Sequence, residues 1–521
     1  MSATSWMPVC ALEDVVPDSG VCALLHGRQV AIFRVGDAVY AIGNHDPASG
    51  VNVLARGIVG DLAGEPVVAS PLYKQHYSLV NGRCIEDASL AVPTFLTRLV
   101  DGQVWVQGQP YVPRRPASLP RLVVIGNGMA ATHALEELLA LAPQAFQITV
   151  FGAERQGGYN RVLLSPLLSG EKRRDDVITH PPEWYAERGV TLHAGDTVTR
   201  IDRARRSVHS QCGLAVGYDR LLIATGSRPV IPPLPGVDLP GVKTFRDLQD
   251  VDALLSATRT GRIAVVIGGG LLGLEAASGL QRQGMQVTVV HRGPVLMNRQ
   301  LDSHASQLLQ SELERRGLRF VLNARTQALQ GEGRVTHVQL QDGTQLPADL
   351  VVMAVGVRPD TTLAQAAGLH CERGILVDDT LQTFDPAIYA VGECVQHRDS
   401  TYGLVAPLLE QARVCAAHLA ERGAVRYPGS QPATQLKVSG IQVFSAGDYE
   451  GGPGTETLVL RDEQQGVYKR LVLQGNQVRG AVLYGDTRDG PWYSTLINER
   501  RDIRPLRDGL LFGEAYCQPP A

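Results

Sequence analysis

The sequence predicts a multidomain fold in which a small all-β domain precedes an α/β region with two dinucleotide-binding units and a small α+β domain. Short β-prone runs broken by Gly, Asp and Asn fill residues 1–108. The pattern of buried strand, glycine-rich turn and amphipathic helix then occurs twice, in RLVVIGNGMAATHALEELL and in RIAVVIGGGLLGLEAASGL. Strand-like runs return after residue 425 and end in one helix-like segment, WYSTLINERRD.

The bulk composition is that of an ordinary globular protein. Its 521 residues exceed the roughly 250–300 residues at which a single core stops growing, so we expect several domains. The formal charge of −3 gives no electrostatic reason to bind nucleic acid or an anionic membrane. The sequence has no secretory signal and no run of about 18 apolar residues, so we predict a cytoplasmic protein.

The eight cysteines are scattered, with no C-x-x-C or C-x-x-x-x-C pair among them. Local pairs of this kind are typical of zinc and iron–sulfur sites and of the dithiol centres of disulfide reductases. We therefore predict no metal site, no disulfide framework and no dithiol redox centre.

A first phosphate-binding turn is predicted directly after the strand LVVI. Gly126 can make the tight turn, and Gly128 lets the backbone approach a pyrophosphate. The helix that begins at Met129 and Ala130 faces that anion with its N-terminus. Ala131, at the third motif position, keeps the helix close to the strand.

The acidic residue that usually binds the ribose is displaced along the chain. Gly152 ends the next strand, where an Asp or Glu is usual, and Glu154 follows it. We predict that Glu154 accepts hydrogen bonds from a ribose.

A second and complete G-x-G-x-x-G motif follows the strand AVVI and opens a helix. Two correctly placed copies make coincidence improbable. The motif and the first turns of its helix contribute six candidate nucleotide-binding residues: Gly268, Gly270, Leu271, Leu272, Gly273 and Glu275.

Two basic residues, His291 and Arg292, end the strand that follows the second motif. An Asp or Glu at this place favours NAD, whereas an Arg can pair with the 2′-phosphate of NADP. A solvated basic pair is the alternative, so the sequence leaves the choice between NADH and NADPH open.

Two further strands end in small residues, at Ala224-Thr225-Gly226 and at Ala390-Val391-Gly392-Glu393. Along the chain, the first glycine motif is followed by Ala-Thr-Gly, then by the second glycine motif, and then by Ala-Val-Gly-Glu. In this order, the segments resemble flavoprotein reductases in which a second dinucleotide domain is inserted into the first. The resemblance covers about residues 121–419. It implies an FAD-binding domain at 121–240 and 361–425, an NAD(P)-binding domain at 241–360 and an interface domain at 426–521.

Within that group, YNRVLLSPLL (159–168) and AVGECVQHRDSTYGLVAPL (390–408) resemble the FAD-binding part of the assimilatory NAD(P)H nitrite reductase large subunit. The resemblance places Asn160, Arg161 and Ser165 against the flavin, and Pro166 where related reductases often carry a Lys. It places Tyr402, Gly403 and Pro407 over the flavin near the acceptor face. The other residues that it assigns to cofactor contact or to its border are Val198, Ala224, Thr225, Gly226, Arg228, Ala354, Val355, Gly356, Arg358, Gly392 and Glu393.

The first domain, 1–108, resembles the small subunit of the same reductases, which has a Rieske ferredoxin fold; a proline-rich connector follows at 109–120. A Rieske centre needs C-x-H and C-x-x-H. The chain has Asn44-His45-Asp46 and Ser70-Pro71-Leu72-Tyr73 at these spacings, so we predict no cluster. The domain is interpreted as a docking or stabilising module.

The resemblance implies that hydride passes from NADH or NADPH to FAD without a catalytic acid or base. Electrons would then pass to a partner metalloprotein of nitrite or nitrate reduction. The chain lacks the cysteine-rich and sirohaem segments of the large subunit, so we do not expect it to reduce nitrite by itself.

Two alternatives remain open at this stage. One is a reductase for a ferredoxin, a rubredoxin or a ring-hydroxylating oxygenase, against which the YNRVLLSP segment weighs. The other is a flavin-binding scaffold or redox-sensing interaction protein without turnover. Self-association as a homodimer is also left open.

Overall fold

The computed structural model describes residues 6–36, 38–62, 65–87, 90–110, 119–421, 425–430, 433–438 and 440–517. Most of the connector predicted at 109–120 therefore lies outside the described residues. Contacts divide the chain into two compact units, Met1–Leu119 with Leu141–Ala145 and Ala417–Ala424, and Pro120–Ala140 with Phe146–Ala416 and Val425–Ala521.

The first unit is built from short antiparallel strands. Its sheets contain, in spatial order, Trp6–Ala11, Gln103–Gln107 and Thr97–Val100; Thr94–Phe95, Ala38–Gly43, Arg28–Val35 and Gly20–Leu25; Ile58–Leu62, Glu65–Ala69 and His76–Ser78; and the pair His45–Asp46 and Val51–Asn52. Alternating apolar residues fill two cores, one around Phe33 and Tyr77 and one around Val30 and Val104.

Nine helices occur among the described residues. They are α1 (Met129–Leu141), α2 (Leu164–Leu168), α3 (Pro182–Glu187), α4 (Leu248–Thr258), α5 (Leu271–Arg282), α6 (Ser303–Arg315), α7 (Thr362–Ala366), α8 (Val405–Leu419) and α9 (Gly490–Glu499). No helix in the described part of the chain has the length and apolarity needed to cross a membrane.

The second unit contains two five-stranded parallel sheets with the same plan. The first runs Thr191–Ala194, Gln147–Gly152, Arg121–Ile125, Arg220–Ile223 and Ile388–Ala390. The second runs Val242–Thr244, Leu350–Met353, Ile263–Ile267, Gln286–Val290 and Arg319–Val321. The central strands are buried runs of Val, Ile and Leu, as expected when helices cover both faces. Because the last strand of the first sheet follows the whole second sheet in the chain, the second dinucleotide fold is inserted into the first.

Smaller sheets complete this unit. Each large sheet is accompanied by a three-stranded antiparallel sheet, Val198–Asp202, Ser207–Ser210 and Ala215–Gly217 in one case and Thr326–Gln330, His337–Leu340 and Gln345–Pro347 in the other. The remaining strands are Gly158–Tyr159 with Ile178–His180, Ser227–Pro229 with Val357–Pro359, and Ile375–Val377 with Val395–His397 and Ser400–Thr401.

The C-terminal part is one antiparallel sheet with a helix against it. Its strands are Ala433–Val438, Ile441–Gly447, Gln477–Tyr484, Val467–Gln474 and Glu456–Asp462. Tyr493 and Leu496 of α9 pack with Leu471 and Leu483 of the sheet. The predicted succession of all-β, α/β and α+β parts is confirmed.

Candidate functional site

A cavity of about 810 Å³ opens where the strands of the first parallel sheet end. This volume lies within the range of small-molecule sites in proteins. The first glycine turn and the first turns of α1 and α5 line the same space, whereas Gly268, Gly270 and Gly273 of the second glycine motif do not line it. Of the predicted site residues, those that line it are Gly126, Gly128, Met129, Ala130, Glu154, Arg161, Ser165, Ala224, Thr225, Gly226, Leu271, Leu272, Glu275, Gly392, Gly403 and Glu393.

The first glycine turn has the geometry that the sequence predicts. Gly126 has a φ of +106°, and a Cβ there would lie 2.1 Å from the carbonyl oxygen of Ala224, so only glycine fits. A Cβ at Gly128 would have no closer neighbour than Arg161 Nε at 4.0 Å. The backbone at Gly128 is therefore open to a ligand at the N-terminus of α1.

A charged cluster follows the strand Gln147–Gly152. The Glu154 carboxylate accepts hydrogen bonds from Tyr159 Oη at 2.9 Å and from Arg161 Nη2 at 2.6 Å. Glu154 thus lies in the cavity, but Arg161 already engages its carboxylate. Burial raises the pKa of Tyr159, which keeps this phenol a donor to Glu154 at neutral pH.

Arg246 is a cavity residue that the sequence reasoning missed. It directly precedes Asp247, the N-cap of α4, and its guanidinium forms an ion pair with Glu393. Ser227 Oγ donates to the same carboxylate at 2.8 Å, and Arg161 Nη1 donates to the Arg246 carbonyl at 3.1 Å. Arg246 Nε is buried without a partner among the described residues. In the sequence, Arg246 is marked only as an arginine directly before a helix N-cap residue, and this pattern alone does not indicate a cavity residue.

The second glycine turn is equally constrained. Gly268 has a φ of +127°, and a Cβ there would lie 2.2 Å from the carbonyl oxygen of Ala354. A Cβ at Gly273 would lie 2.0 Å from the carbonyl oxygen of Gly268, so this glycine allows the close packing of helix on strand. Gly270, the N-cap of α5, has open space around it.

Glu275 lies on α5 and faces the cavity. Burial raises its pKa to about 7, and none of the described residues forms an ion pair or hydrogen bond with its carboxylate. A carboxyl group that titrates near neutrality beside an open cavity is a candidate ligand contact.

His291 and Arg292 do not line the cavity. The His291 ring is half-buried, and its Nδ1 accepts a hydrogen bond from the backbone N–H of Gly269 at 3.1 Å. Arg292 is exposed.

Three further residues predicted to contact the cofactor, Asn160, Val198 and Pro407, do not line the cavity. Asn160 caps a short 3₁₀ turn, its Oδ1 accepting from Val162 N at 3.0 Å. Val198 is buried in its strand, and Pro407 is buried in α8. Tyr402 is also buried and does not line the cavity, although its neighbour Gly403 does.

The other residues outside the cavity lie in, or directly before, the strand pair Ser227–Pro229 and Val357–Pro359. Arg228 pairs opposite Arg358 and forms an ion pair with Asp360 at 2.6 Å. Gly356 is exposed with a φ of +123°, and Val355 beside it is also exposed. Their roles in cofactor contact stay predictions.

The amino-terminal unit has a hydrogen-bond network where a Rieske centre would have ligands. The Asp46 carboxylate, which has no exposed surface, accepts from Ser70 Oγ at 2.6 Å, Tyr77 Oη at 2.8 Å and Ser49 Oγ at 2.8 Å. Asn44 Oδ1 accepts from Ala55 N at 2.7 Å.

These residues do not fit a [2Fe–2S] cluster. Neither Asn44 nor Ser70 supplies a thiolate, Asp46 has its lone pairs occupied, and Tyr73 is 65% exposed. No group of three or more His, Cys, Asp or Glu side chains in the described ranges could hold a metal ion.

Comparison with known protein families gives three matches. Residues 120–418 match the pyridine nucleotide-disulphide oxidoreductases, residues 5–107 the Rieske-like [2Fe-2S] domain, and residues 432–501 the rubredoxin NAD+ reductase C-terminal domain.

Individual relatives give the same picture. The chain is 48% identical over 383 residues to a "Nitrite reductase [NAD(P)H]" of Bacillus subtilis (strain 168), which covers 74% of this chain and 48% of that protein. It is 44% identical over 411 residues to the "Assimilatory nitrate reductase electron transfer subunit" of the same organism, covering 76% and 53%. The chain thus spans about half the length of these curated relatives.

Among solved structures, a covalent putidaredoxin reductase–putidaredoxin complex matches with a TM-score of 0.69 at 27% identity, over 76% of this chain and 97% of that chain. The predicted enzyme class and the FAD and NAD(P)H cofactors are confirmed at the level of the family. Because the first family match takes in more than half of its residues, the chain belongs to the pyridine nucleotide-disulphide oxidoreductase family.

Proposed function

We propose that this chain oxidises NADH or NADPH with a bound FAD and delivers the electrons to the metalloprotein of an assimilatory nitrite or nitrate reductase. The observation that carries the proposal is that one cavity is lined by the first glycine turn, Gly126–Ala130, and by Leu271, Leu272 and Glu275 of the helix that follows the second glycine turn. Two dinucleotides bound at the N-termini of α1 and α5 would meet in this cavity. Domain limits at 121–240 with 361–425, at 241–360 and at 426–521 are part of this proposal.

The residues of the cavity fit an anionic dinucleotide such as FAD. Gly128 leaves its backbone open at the N-terminus of α1, and two guanidinium groups, Arg161 and Arg246, lie in the wall. Two buried donors, Asn127 Nδ2 and Arg246 Nε, have no partner among the described residues. Such unpaired donors are costly in a closed protein, so they favour a ligand that supplies acceptors.

The role of the chain is to position the two cofactors rather than to supply a catalytic acid or base. FAD accepts a hydride and releases electrons singly, which makes it suited to join a nicotinamide nucleotide to a one-electron acceptor. The open turn at Gly270 would seat the nicotinamide nucleotide, while Leu271 and Leu272 exclude water from the shared space. Glu275, with its pKa raised to about 7, is placed to bind a polar group of the nicotinamide side.

The nature of the acceptor rests on the relatives. One is named as the electron transfer subunit of an assimilatory nitrate reductase and another as a nitrite reductase. A docked partner metalloprotein is therefore proposed as the acceptor, with the cluster-less amino-terminal domain as a docking or stabilising module.

Three measurements test the proposal. The purified chain should show flavin absorbance, NADH or NADPH should bleach it in anaerobic stopped-flow, and oxidised nitrate or nitrite reductase catalytic protein should restore it. A flavin-binding scaffold would bleach slowly and show no turnover. A colourless chain that takes up no added FAD would refute the proposal.

A ferredoxin reductase is the second candidate, since the putidaredoxin reductase complex matches nearly the whole length of that reductase. Parallel turnover assays with a plant-type [2Fe–2S] ferredoxin and with the nitrate reductase catalytic protein separate the two. Faster turnover with the ferredoxin would favour this second candidate.

A further inference from the structure

The turn of the second glycine motif is held by residues outside the motif. Gly269 donates its backbone N–H to His291 Nδ1 at 3.1 Å, and its carbonyl oxygen accepts from Met297 N at 2.9 Å. A Cβ at Gly269 would also lie 2.8 Å from Leu296 Cδ2, so this side chain packs directly against the turn. The loop 291–302, which leads into α6, therefore fixes both backbone hydrogen-bonding groups of Gly269.

The loop 291–302 is in turn fixed by α6. Met297 is buried with a φ of +50°, a conformation that residues with side chains adopt only when their surroundings hold it. Ser306 Oγ of α6 donates to the Leu296 carbonyl at 2.6 Å. The Asp302 carboxylate ends the loop and caps the helix by accepting from Ala305 N at 3.3 Å. Because a protein interior is close-packed, a shift of the α6 N-terminus displaces the loop that holds the glycine turn.

The C-terminal sheet binds the same carboxylate. Tyr468 Oη donates to Asp302 Oδ2 at 2.7 Å, and Arg470 Nη1 donates to the same oxygen at 3.4 Å. Asp302 and Tyr468 are both buried, so water does not compete for this hydrogen bond. Burial and the hydrogen bond to Asp302 raise the pKa of Tyr468, which keeps the phenol a donor. One buried carboxylate thus joins the loop 291–302, α6 and the C-terminal sheet.

A second tyrosine of the C-terminal sheet provides a comparison. Tyr484 packs in the same apolar cluster as Tyr468, and its Oη donates to the Leu308 carbonyl at 3.4 Å. This hydrogen bond reaches the middle of α6 rather than its N-cap. Both tyrosines therefore bind the same helix, but of the two it is Tyr468 that bonds the residue at the end of the loop.

We propose that the C-terminal sheet sets the affinity of the chain for its nicotinamide nucleotide, and that Asp302 is the positioning residue through which it does so. Asp302 acts through the loop 291–302 on the Gly269 turn rather than by contact with the ligand. A glycine turn binds a pyrophosphate with backbone groups, so a turn that is free to move must be ordered at binding, which lowers the affinity. The inference rests on the proposed function, because it concerns the nucleotide of that same site.

The test measures nucleotide affinity in the purified flavin-containing chain. NAD+ and NADP+ are the probes, titrated calorimetrically, because the oxidised nucleotides do not reduce the flavin. Tyr468→Phe, which removes one hydrogen bond to a buried carboxylate, should weaken the tighter-binding probe about threefold to tenfold. Asp302→Ala should weaken it more, and Asp302→Asn, which keeps one carbonyl oxygen, should fall between Asp302→Ala and wild type. In turnover, Tyr468→Phe should raise KM for the reduced nucleotide and change kcat by less than about twofold.

Tyr484→Phe is the matched control, because it makes the same chemical change in the same sheet and against the same helix. It should change the affinity by less than about twofold. Hydrogen exchange of the peptide covering residues 265–275 gives a readout that does not depend on turnover. Exchange there should be faster in Tyr468→Phe than in wild type and unchanged in Tyr484→Phe, and both variants should keep the wild-type flavin content.

Each result bears on one claim. Unchanged affinity in Tyr468→Phe, an equal loss in Tyr484→Phe, or a loss of flavin along with nucleotide in Tyr468→Phe would overturn the inference. If Tyr468→Phe does not fold, wild-type affinity in Asp302→Asn takes its place as the overturning result. Failure of the flavin-loaded wild-type chain to bind either probe would instead refute the proposed function.

Discussion

Removing the Asp46 carboxylate should destabilise the amino-terminal domain by a calculable amount. The carboxylate is fully buried and accepts from two fully buried hydroxyl groups, Ser70 Oγ at 2.6 Å and Tyr77 Oη at 2.8 Å. Asp46→Ala leaves both without an acceptor, and each such group costs about 1–3 kcal/mol. The expected loss in the free energy of unfolding of this domain is therefore about 2–6 kcal/mol.

The pH dependence gives this prediction a second readout. Burial alone raises the pKa of Asp46, but hydrogen bonds from Ser70, Tyr77 and Ser49 outweigh it and lower the pKa below the usual 3.8. A lowered pKa means that the stabilisation is complete above the unfolded-state value and is lost as the pH falls through the folded-state value. Wild-type protein should lose domain stability below about pH 4, and Asp46→Asn should lose less over the same range.

Hydrogen exchange of the full chain, followed by mass spectrometry on peptides covering residues 40–80, measures the stability of this domain directly. Asp101→Asn, which makes the same chemical change as Asp46→Asn at an exposed turn residue, is the control and should change this stability by less than about 0.5 kcal/mol. Equal protection in Asp46→Ala and wild type would refute the view that the hydrogen bonds to Asp46 stabilise this domain.

Three further predictions concern the cavity. Arg246→Ala should raise the FAD dissociation constant about tenfold, measured by flavin fluorescence, whereas the exposed-site change Lys243→Ala should not; equal retention of flavin in both would contradict a cofactor contact. Because burial raises the pKa of Glu275 to about 7, its stabilising proton is lost as the pH rises through that value, so nucleotide-free protein should be less stable at pH 8 than at pH 6 by about 1.4 kcal/mol. Chemical denaturation of Glu275→Gln should show a correspondingly smaller difference. Gly268→Ala, whose Cβ would lie 2.2 Å from the Ala354 oxygen, should lose NAD(P)H binding but keep its flavin. Gly270→Ala, whose Cβ would meet no atom within 4 Å, should remain folded. Nucleotide titrations of both variants test this contrast.

The sequence predicted the parts of this protein that are determined locally. Both glycine turns and their helices follow from residue types at fixed spacing, since positions such as Gly126 and Gly268 need a positive φ. The insertion of one dinucleotide fold into the other was implied by the resemblance to flavoprotein reductases that the order of the motifs carries. The small β domain followed from its short runs and turn residues.

What the sequence did not predict depends on residues that are far apart in the chain. Arg246 reaches the cavity through contacts with Glu393, 147 residues later, and with Arg161, 85 residues earlier. The inward orientation of His291 depends on Gly269, which lies 22 residues before it. The spacing gives only a pair of basic residues at a strand end, and the packing shows that His291 contacts Gly269 whereas Arg292 is exposed.

The cavity also bears on the proline that departs from the related reductases. Pro166 lines the wall where those proteins often carry a Lys, but Arg161 and Arg246 line the same wall. Arg246 lies between the strand Val242–Thr244 of the second dinucleotide fold and α4. Its ion pair with Glu393 connects this segment to the end of the strand Ile388–Ala390 in the first sheet. The position of the Arg246 charge in the cavity therefore depends on how the second dinucleotide fold is placed against the first. A Lys on the short helix α2 would belong to the first fold and would keep its position. We therefore expect the charge around a bound flavin in this chain to depend on how the nicotinamide domain is seated, which links nucleotide binding to the electrostatics of the cavity.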